Sequence, residues 1–321
     1  MMKLSIAMAT YNGARYIKEQ LDSFANQSLM PDELIVCDDL STDNTIHIIN
    51  DFAESAPFEV RVVVNNVNLG YTKNFEKALS LCTGDIIFIS DQDDVWFENK
   101  ISFVTRIFET NKYAYVVIND QELTDELLNP SGLTNFSNTF STGMPESWLS
   151  AGCCTAIRSE FMQIIYPFPV DMIPYDGWIH KIAHILGVRT VTSEILQFHR
   201  RHDKNASQSI VATILNPRKM AIFMEYGLRD VSSGWIMEVE LTKYLVNTII
   251  ENRIAISGLN VSSDIDQICA NERTRIEAIK KRIHLVKTSW PKRMHLVLSF
   301  YISGGYNFFS GWKSAIKDLI R

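Results

Sequence analysis

This chain of 321 residues lacks several features that would place it in a class at once. No run reaches the ~18 apolar residues that a transmembrane helix needs. No secretory leader opens it: Met1-Met2-Lys3 runs straight into a short strand-like segment, and a cytoplasmic protein is expected. Cysteine is scarce and badly spaced for cross-linking. Cys37, Cys82, Cys153, Cys154 and Cys269 are odd in number, two are adjacent, and none forms a Cys-x-x-Cys pair. That pattern disfavours both a disulfide framework and a zinc site. Gly-rich phosphate loops are missing as well. No GxGxxG follows the first strand and no Walker A motif occurs, so any nucleotide must be held by other means. No internal repeat or low-complexity tract is visible.

What is present is a regular alternation of strand and helix patterns. Leu4 to Ala9, Glu33 to Cys37, Val60 to Val64 and Ile86 to Ile89 read as strands, and apolar periodicity marks helices between them. That is the signature of βαβ units with right-handed crossovers and a parallel sheet. Polar residues gather after each strand: Thr10 and Tyr11, then Asp38 and Asp39, then Asn68 and Gly70, then Asp91 and Asp93. In open α/β sheets these carboxyl ends line one crevice, where ligands bind.

The fourth strand carries the strongest signal. Ile86-Ile87-Phe88-Ile89 is apolar enough to be buried on both faces, and Asp91-Gln92-Asp93-Asp94 follows directly. Three carboxylates in four residues repel one another unless a cation lies among them. Oxygen ligands suit a hard ion, Mg²⁺ or Mn²⁺. The alternative is a solvated acidic turn, with Asp94 capping the helix that follows.

Beyond Asp94 the pattern loosens. A helix is expected over about Asn99 to Glu109 and a strand over Tyr113 to Ile118. Residues 119–148 read as a polar surface excursion. Gly152 to Ile157 is strand-like, a helix is expected from Ile179, and strands from Val188 to Thr192 and Ile195 to His199 lead into the polar loop Arg200-Arg201-His202-Asp203-Lys204-Asn205. From about Pro217 to Lys287 the chain reads as mostly helix, with a break near Ile256 to Ser263. Charge is uneven. Residues 273–321 hold eleven Lys or Arg against two acids, a net +9, which leaves −15 on the remainder of a chain whose total is −6. Basic residues are mixed there with Trp290, Phe300, Tyr301, Tyr306, Phe308, Phe309 and Trp312. Two readings follow: a helical appendage packed on the catalytic domain, or interfacial attachment to an anionic membrane surface. Nothing points to nucleic acid as a partner.

The run Ser5 to Asn12, the segment Val36-Cys37-Asp38-Asp39-Leu40-Ser41-Thr42-Asp43, Asn68-Leu69-Gly70 and Asp91-Gln92-Asp93-Asp94 resemble family 2 glycosyltransferases of the GT-A fold. Together with Val95-Trp96, Asp176-Gly177-Trp178 and Arg200-Arg201-His202, they are most similar to the bacterial rhamnosyltransferase-like branch. The resemblance covers about residues 3–210. It implies a Rossmann-like mixed, mainly parallel sheet flanked by helices, with a mostly helical C-terminal appendage. The expected division is a catalytic domain over 1–212, whose halves 1–110 and 111–212 take nucleotide and acceptor, and a helical region over 213–321. The resemblance also implies roles. Thr10 and Tyr11 contact the nucleotide base, and Asp39 accepts the base imide N–H. Asn68, Gly70 and Lys73 or Asn74 approach the nucleotide, Asp91 reaches the ribose, and Asp93 binds Mn²⁺ or Mg²⁺. Asp176 falls where the family places its catalytic base; a common form has two acids there, whereas Tyr175 precedes Asp176 here. His202 is a further candidate for metal or phosphate, Arg200 or Arg201 for phosphate charge, and Gly152 and Trp178 for the acceptor side. Each has a plainer alternative: capping for Asp39 and Asp176, packing for Trp178, an exposed loop histidine for His202.

The implied reaction is inverting transfer from a nucleoside diphosphate sugar to a lipid-linked oligosaccharide in surface polysaccharide synthesis, at the inner membrane face. dTDP-rhamnose is the favoured donor. A UDP-hexose such as UDP-glucose or UDP-galactose is the alternative, because thymine and uracil share the imide edge that Asp39 would read. A scaffold that keeps the fold without catalysis is the alternative of another class.

Overall fold

The computed structural model describes residues 2–169, 171–203, 205, 232–261 and 264–320. The helix expected from Pro217 lies outside these residues as far as position 231, as does Lys204 of the polar loop. The chain forms two compact units, Met1–Pro217 with Leu259–Val261, and Arg218–Gly258 with Ser262–Arg321.

The first unit is built on a nine-stranded mixed sheet. Its strands are β1 (Leu4–Thr10), β2 (Glu33–Asp38), β3 (Glu59–Val64), β4 (Ile86–Ser90), β5 (Val95–Trp96), β6 (Val116–Thr124), β7 (Pro130–Thr134), β8 (Thr155–Arg158) and β9 (Arg189–Arg200). The order across the sheet is β3-β2-β1-β4-β8-β6-β9-β5, with β7 beside β6. Strands β1 to β4 are parallel, as their alternation with helices requires. Helices α1 (Ile17–Ala25), α2 (Thr45–Ala53) and α3 (Tyr71–Leu81) make the crossovers. On α1 Ile17, Leu21 and Phe24 recur at helical spacing, and all three are buried against the sheet. Every residue of β4 is buried, as expected for a strand covered on both faces.

After β4 the sheet changes sense, and this builds the site. Strand β8 runs antiparallel to both β4 and β6, while β6 and β9 are parallel. The start of β8 and the ends of β6 and β9 therefore come to the same edge as the carboxyl ends of β1, β2 and β4. Helices α4 (Lys100–Thr110), α5 (Asn135–Ser141), α6 (Ser159–Ile165) and α7 (Tyr175–Ile185) complete the unit.

Several expectations are corrected here. Residues 119–148 are not an excursion: β6 continues to Thr124, and Asn119, Asp120 and Gln121 are buried in it. Their polarity is accommodated by partners, since Asp120 Oδ1 accepts from the amides of Gln121 and Phe136 at 2.8 and 3.0 Å. Gly152 to Cys154 form a 3-10 turn, and β8 begins only at Thr155. The two strands expected over 188–199 are one continuous β9. Helix α7 starts at Tyr175 with Pro174 as N-cap, so Asp176 lies inside the first turn and does not cap.

The second unit is helical over its described residues: α8 (Ser232–Glu251), α9 (Arg253–Gly258), α10 (Ile265–Val286), α11 (Trp290–Ile302) and α12 (Trp312–Ile320). Leu285, Val297, Phe300, Tyr306 and Ala315 share its core. Arg282 of α10 is buried and forks onto Asp318 of α12, with Nε and Nη2 donating at 2.7 and 2.8 Å. The Tyr306 hydroxyl donates to the same carboxylate at 3.0 Å, and Trp235 and Phe309 stack on the guanidinium. Among the described residues no helix is long and apolar enough to cross a membrane.

Candidate active site

The loops after β1, β2 and β3 form one hydrogen-bonded body. At the end of β1, Thr10 is buried, and its hydroxyl donates to Asp38 Oδ2 at 2.7 Å. Asp38 also accepts from the Ser41 amide at 2.8 Å, which turns the chain into α2. Asp39 is the anchor of the neighbouring loop. Its Oδ1 accepts from the Leu69 amide at 2.7 Å and from Asn65 Nδ2 at 2.8 Å, and its Oδ2 accepts from the Gly70 amide at 2.9 Å. Gly70 opens α3 at φ +76°, a conformation that favours glycine. Asn68 Nδ2 donates to the Asp39 carbonyl at 3.2 Å. Asn74 is buried and donates to the Cys37 carbonyl at 2.8 Å, which makes it a brace for β2. Lys73 pairs with Glu76 at 2.6 Å on the outer side of α3.

Gln92, which the sequence reasoning passed over, joins this body to the acidic loop. Its Oε1 accepts from the Tyr11 amide at 2.9 Å, and its Nε2 donates to the Tyr11 carbonyl at 3.1 Å. Gly13 makes room for this clamp, since a Cβ there would run into the Gln92 amide. The Tyr11 side chain is left half exposed beside it.

The three acids of Asp91-Gln92-Asp93-Asp94 have three different environments. Among the described residues none donates a hydrogen bond to the Asp91 carboxylate, and burial with repulsion from Asp94 and Asp93 pushes its carboxyl up to about 8. Asp176 adds to that repulsion, so the fourth acid stands close to the cluster. Asp93 Oδ2 lies 2.8 Å from His202 Nε2 and 3.3 Å from Asn205 Nδ2. The His202 ring stacks on Tyr16, with centroids 4.7 Å apart. Asp94 is fully buried: Oδ1 meets His199 Nδ1 at 3.0 Å and Oδ2 accepts from Gln197 Nε2 at 2.9 Å. Burial opposes its ionisation, but His199 holds the Asp94 carboxyl below its usual range. The reading of Asp94 as a helix cap is thus corrected; Asn99 occupies that place.

Beneath Asp94 lies a polar network that no local signal announced. Lys100 is buried and donates to the Cys153 carbonyl at 2.7 Å and to Gln197, with its ammonium 4.0 Å from the Trp96 ring. Burial brings Lys100 down to about 8. Gln121 Oε1 gathers Gln197 Nε2 at 3.0 Å and the thiols of Cys153 and Cys154 at 3.3 and 3.1 Å. Asp94, Cys153 and His199 are close enough to share an ion. We read Asp94 and His199 as a satisfied ion pair, because the hydrogen bond with Cys154, burial and the neighbouring acids keep the Cys153 thiol protonated.

In the first turn of α7, Asp176 is half-buried, and burial raises its carboxyl against amide hydrogen bonds from Gly177, its own backbone and Gly152. Gly152 is needed for close approach, since a Cβ there would overlap the Tyr175 hydroxyl. Two candidates are corrected. Trp178 is fully buried and donates to the Ile165 carbonyl at 2.8 Å, so its ring is not presented to an acceptor. Arg200 is also buried. It donates to the carbonyls of Asp93 and Glu126 at 3.0 and 2.7 Å and pairs with Glu19, which leaves it structural. Arg201 is half-buried, with Nη1 3.4 Å from His199 Nε2.

A sheet of this order, with acids converging at the carboxyl edge of its parallel half, defines a nucleotide-sugar-dependent transferase of GT-A architecture. The chain belongs to glycosyl transferase family 2, whose profile matches residues 5–163. It is 33% identical over 219 residues to the dTDP-rhamnosyl transferase RfbG of Shigella flexneri, covering 62% of this chain and 72% of the relative. It is 27% identical over 206 residues to WfaP of Escherichia coli, a UDP-Glc:alpha-D-GlcNAc-diphosphoundecaprenol beta-1,3-glucosyltransferase, covering 64% and 79%. Among solved structures it resembles the mannosyltransferase PcManGT from Pyrobaculum calidifontis in complex with GDP-Man and Mn²⁺. There the TM-score is 0.50 at 16% identity, over 99% of this chain and 85% of that one.

Proposed function

We propose that this glycosyltransferase is metal-dependent and inverting, and moves a sugar from a nucleoside diphosphate to a lipid-linked oligosaccharide. The observation that carries the reading is the Asp91 carboxyl, without a hydrogen-bond donor and raised to about 8 within a cluster of acids. A raised, partnerless carboxyl is what a site built for a cation or a ribose hydroxyl leaves behind. Asp93 Oδ2 and His202 Nε2, 2.8 Å apart, supply oxygen and imidazole donors that suit Mn²⁺ or Mg²⁺, with Asp91 in the same acidic loop. When bound, such an ion offsets the negative charge that grows on the departing diphosphate.

The chain's own residues do the rest. Tyr11 and Asp39 border the base; three donors leave Asp39 with free lone-pair capacity for an imide N–H. Asp176 takes the proton from the acceptor hydroxyl as that oxygen bonds to the anomeric carbon. The bond from that carbon to the diphosphate breaks, the nucleoside diphosphate leaves, and one displacement inverts the centre. The raised carboxyl of Asp176 makes it a stronger base once ionised. Likeness to RfbG favours dTDP-rhamnose; likeness to WfaP keeps UDP-glucose as the second donor. An acceptor held on a lipid requires work at the membrane face.

The test is release of nucleoside diphosphate from dTDP-rhamnose, UDP-glucose and UDP-galactose, with Mn²⁺ and with EDTA. Metal-dependent release from one donor is expected. Tight nucleotide binding with no release from any donor, and no transfer to a lipid-linked acceptor, would leave the non-catalytic scaffold standing.

A further inference from the structure

Helices α11 and α12 each carry an apolar stripe turned to solvent. On α11, Trp290, Met294, Leu298, Tyr301 and Ile302 are exposed, while Val297 and Phe300 enter the core. The exposed set follows helical spacing and lies beside the buried set. On α12, Trp312, Ile316 and Ile320 are exposed, while Ser314, Ala315 and Asp318 are buried. Each stripe begins with a tryptophan at the first residue of its helix, 61% exposed at Trp290 and 58% at Trp312. Exposed Lys292 and Lys313 stand on the same two helices.

Charge selects the occupant. Residues 273–321 contain only two acids, Glu277 and Asp318. Asp318 is sealed against Arg282, and Glu277 pairs with Lys280 at 2.7 Å. Along α11 and α12 themselves, Lys292, Arg293, Lys313 and Lys317 therefore face no exposed acid of their own helices. A second copy would bring the same sign of charge to the contact, whereas an anionic bilayer brings the opposite one. Aromatic rings beside lysines are what the headgroup zone accommodates.

We propose that the Trp290 and Trp312 stripes seat together in the headgroup region of an anionic lipid bilayer, with the lysines on lipid phosphates. This deepens the reading of a lipid-linked acceptor and rests on it for its purpose, though the binding can be measured without it. Arg282, part of the basic run most prominent in the sequence, is withdrawn into the ion pair. Point changes on the stripes are therefore a cleaner test than removing the tail, which would take Asp318 and the core with it.

The experiment sediments the full chain with phosphatidylcholine vesicles, with or without phosphatidylglycerol, in low and high salt. Binding should require phosphatidylglycerol and weaken with salt. Trp290→Ser with Trp312→Ser should lower affinity by about tenfold or more. Lys292→Gln with Lys313→Gln should lower it by about thirtyfold, at about 1 kcal/mol for each cation lost. All four sites are exposed, so melting temperature and donor hydrolysis in solution should not change. A chain that stays in the supernatant with phosphatidylglycerol at low salt overturns the proposal, as do variants that bind like the parent. So does a lipid-free dimer that the tryptophan changes dissolve, which would make the stripes a contact between copies. Vesicle binding as expected beside absent donor hydrolysis would count against the transferase reading and leave the surface intact.

Discussion

Cation binding should displace a proton from Asp91. The Asp91 carboxyl is held at about 8 by burial and by its neighbours Asp94 and Asp93, so near neutral pH most of the free protein carries a proton there. A cation takes the ionised form, and below the carboxyl's own value each pH unit reduces that form about tenfold. Mn²⁺ affinity should therefore rise about tenfold, or about 1.4 kcal/mol, between about pH 6 and about pH 7, then level off above about pH 8. Nearly one proton per cation should be released at the lower end. Isothermal titration in two buffers of different ionisation heat counts these protons directly. Asp91→Asn should weaken binding and flatten the slope. Stability has the opposite sign. A carboxyl raised in the folded state contributes stability fully present below its unfolded value of 3.8, and lost as pH rises toward about 8. Metal-free Asp91→Asn should then melt above the parent at about pH 8, with the gap closing in acid. Affinity that is flat over this range, or an Asn variant that keeps the slope, would refute the reasoning.

Asp176→Asn should cut turnover by about a hundredfold to ten-thousandfold with donor affinity nearly unchanged, as single-turnover and binding measurements would show. His199→Ala strands the buried Asp94 carboxylate and should cost about 3–5 kcal/mol in urea unfolding. Trp178→Ala should lower stability by about 3–5 kcal/mol and leave the acceptor KM unaltered, because the ring packs inside α7's seat and donates to Ile165.

The parallel half of the fold was legible because its signals are local. Ile86 to Ile89 is apolar for the length of one strand, turn formers follow it, and each helix between strands repeats its apolar residues at helical spacing. The antiparallel half depends on partners far away in sequence. Asn119, Asp120 and Gln121 look like loop residues until Gln121 meets Cys153, Cys154 and Gln197, between 32 and 76 positions distant. Asp94 reads as a helix cap or as one of three acids around a cation, because its partner His199 is 105 residues on. Arg200 shows the converse error. An arginine in a polar loop suggests phosphate, but this one is consumed by Glu19 and by the carbonyls of Asp93 and Glu126. Gln92 was hidden by its setting: between aspartates it looks like a spacer, and only the fold brings its amide against Tyr11.

The clamp between Gln92 and Tyr11 bears on how this enzyme can be re-engineered. A Cβ at position 13 would fall on the Gln92 amide, so a replacement of Gly13 alone pushes that amide aside and gives up its two bonds to Tyr11. A library that varies Gln92 alone frees the loop and loses its register with Asp91 and Asp93. The shape of this loop is therefore set by a pair of positions 79 residues apart, and a library aimed at it should randomise both at once.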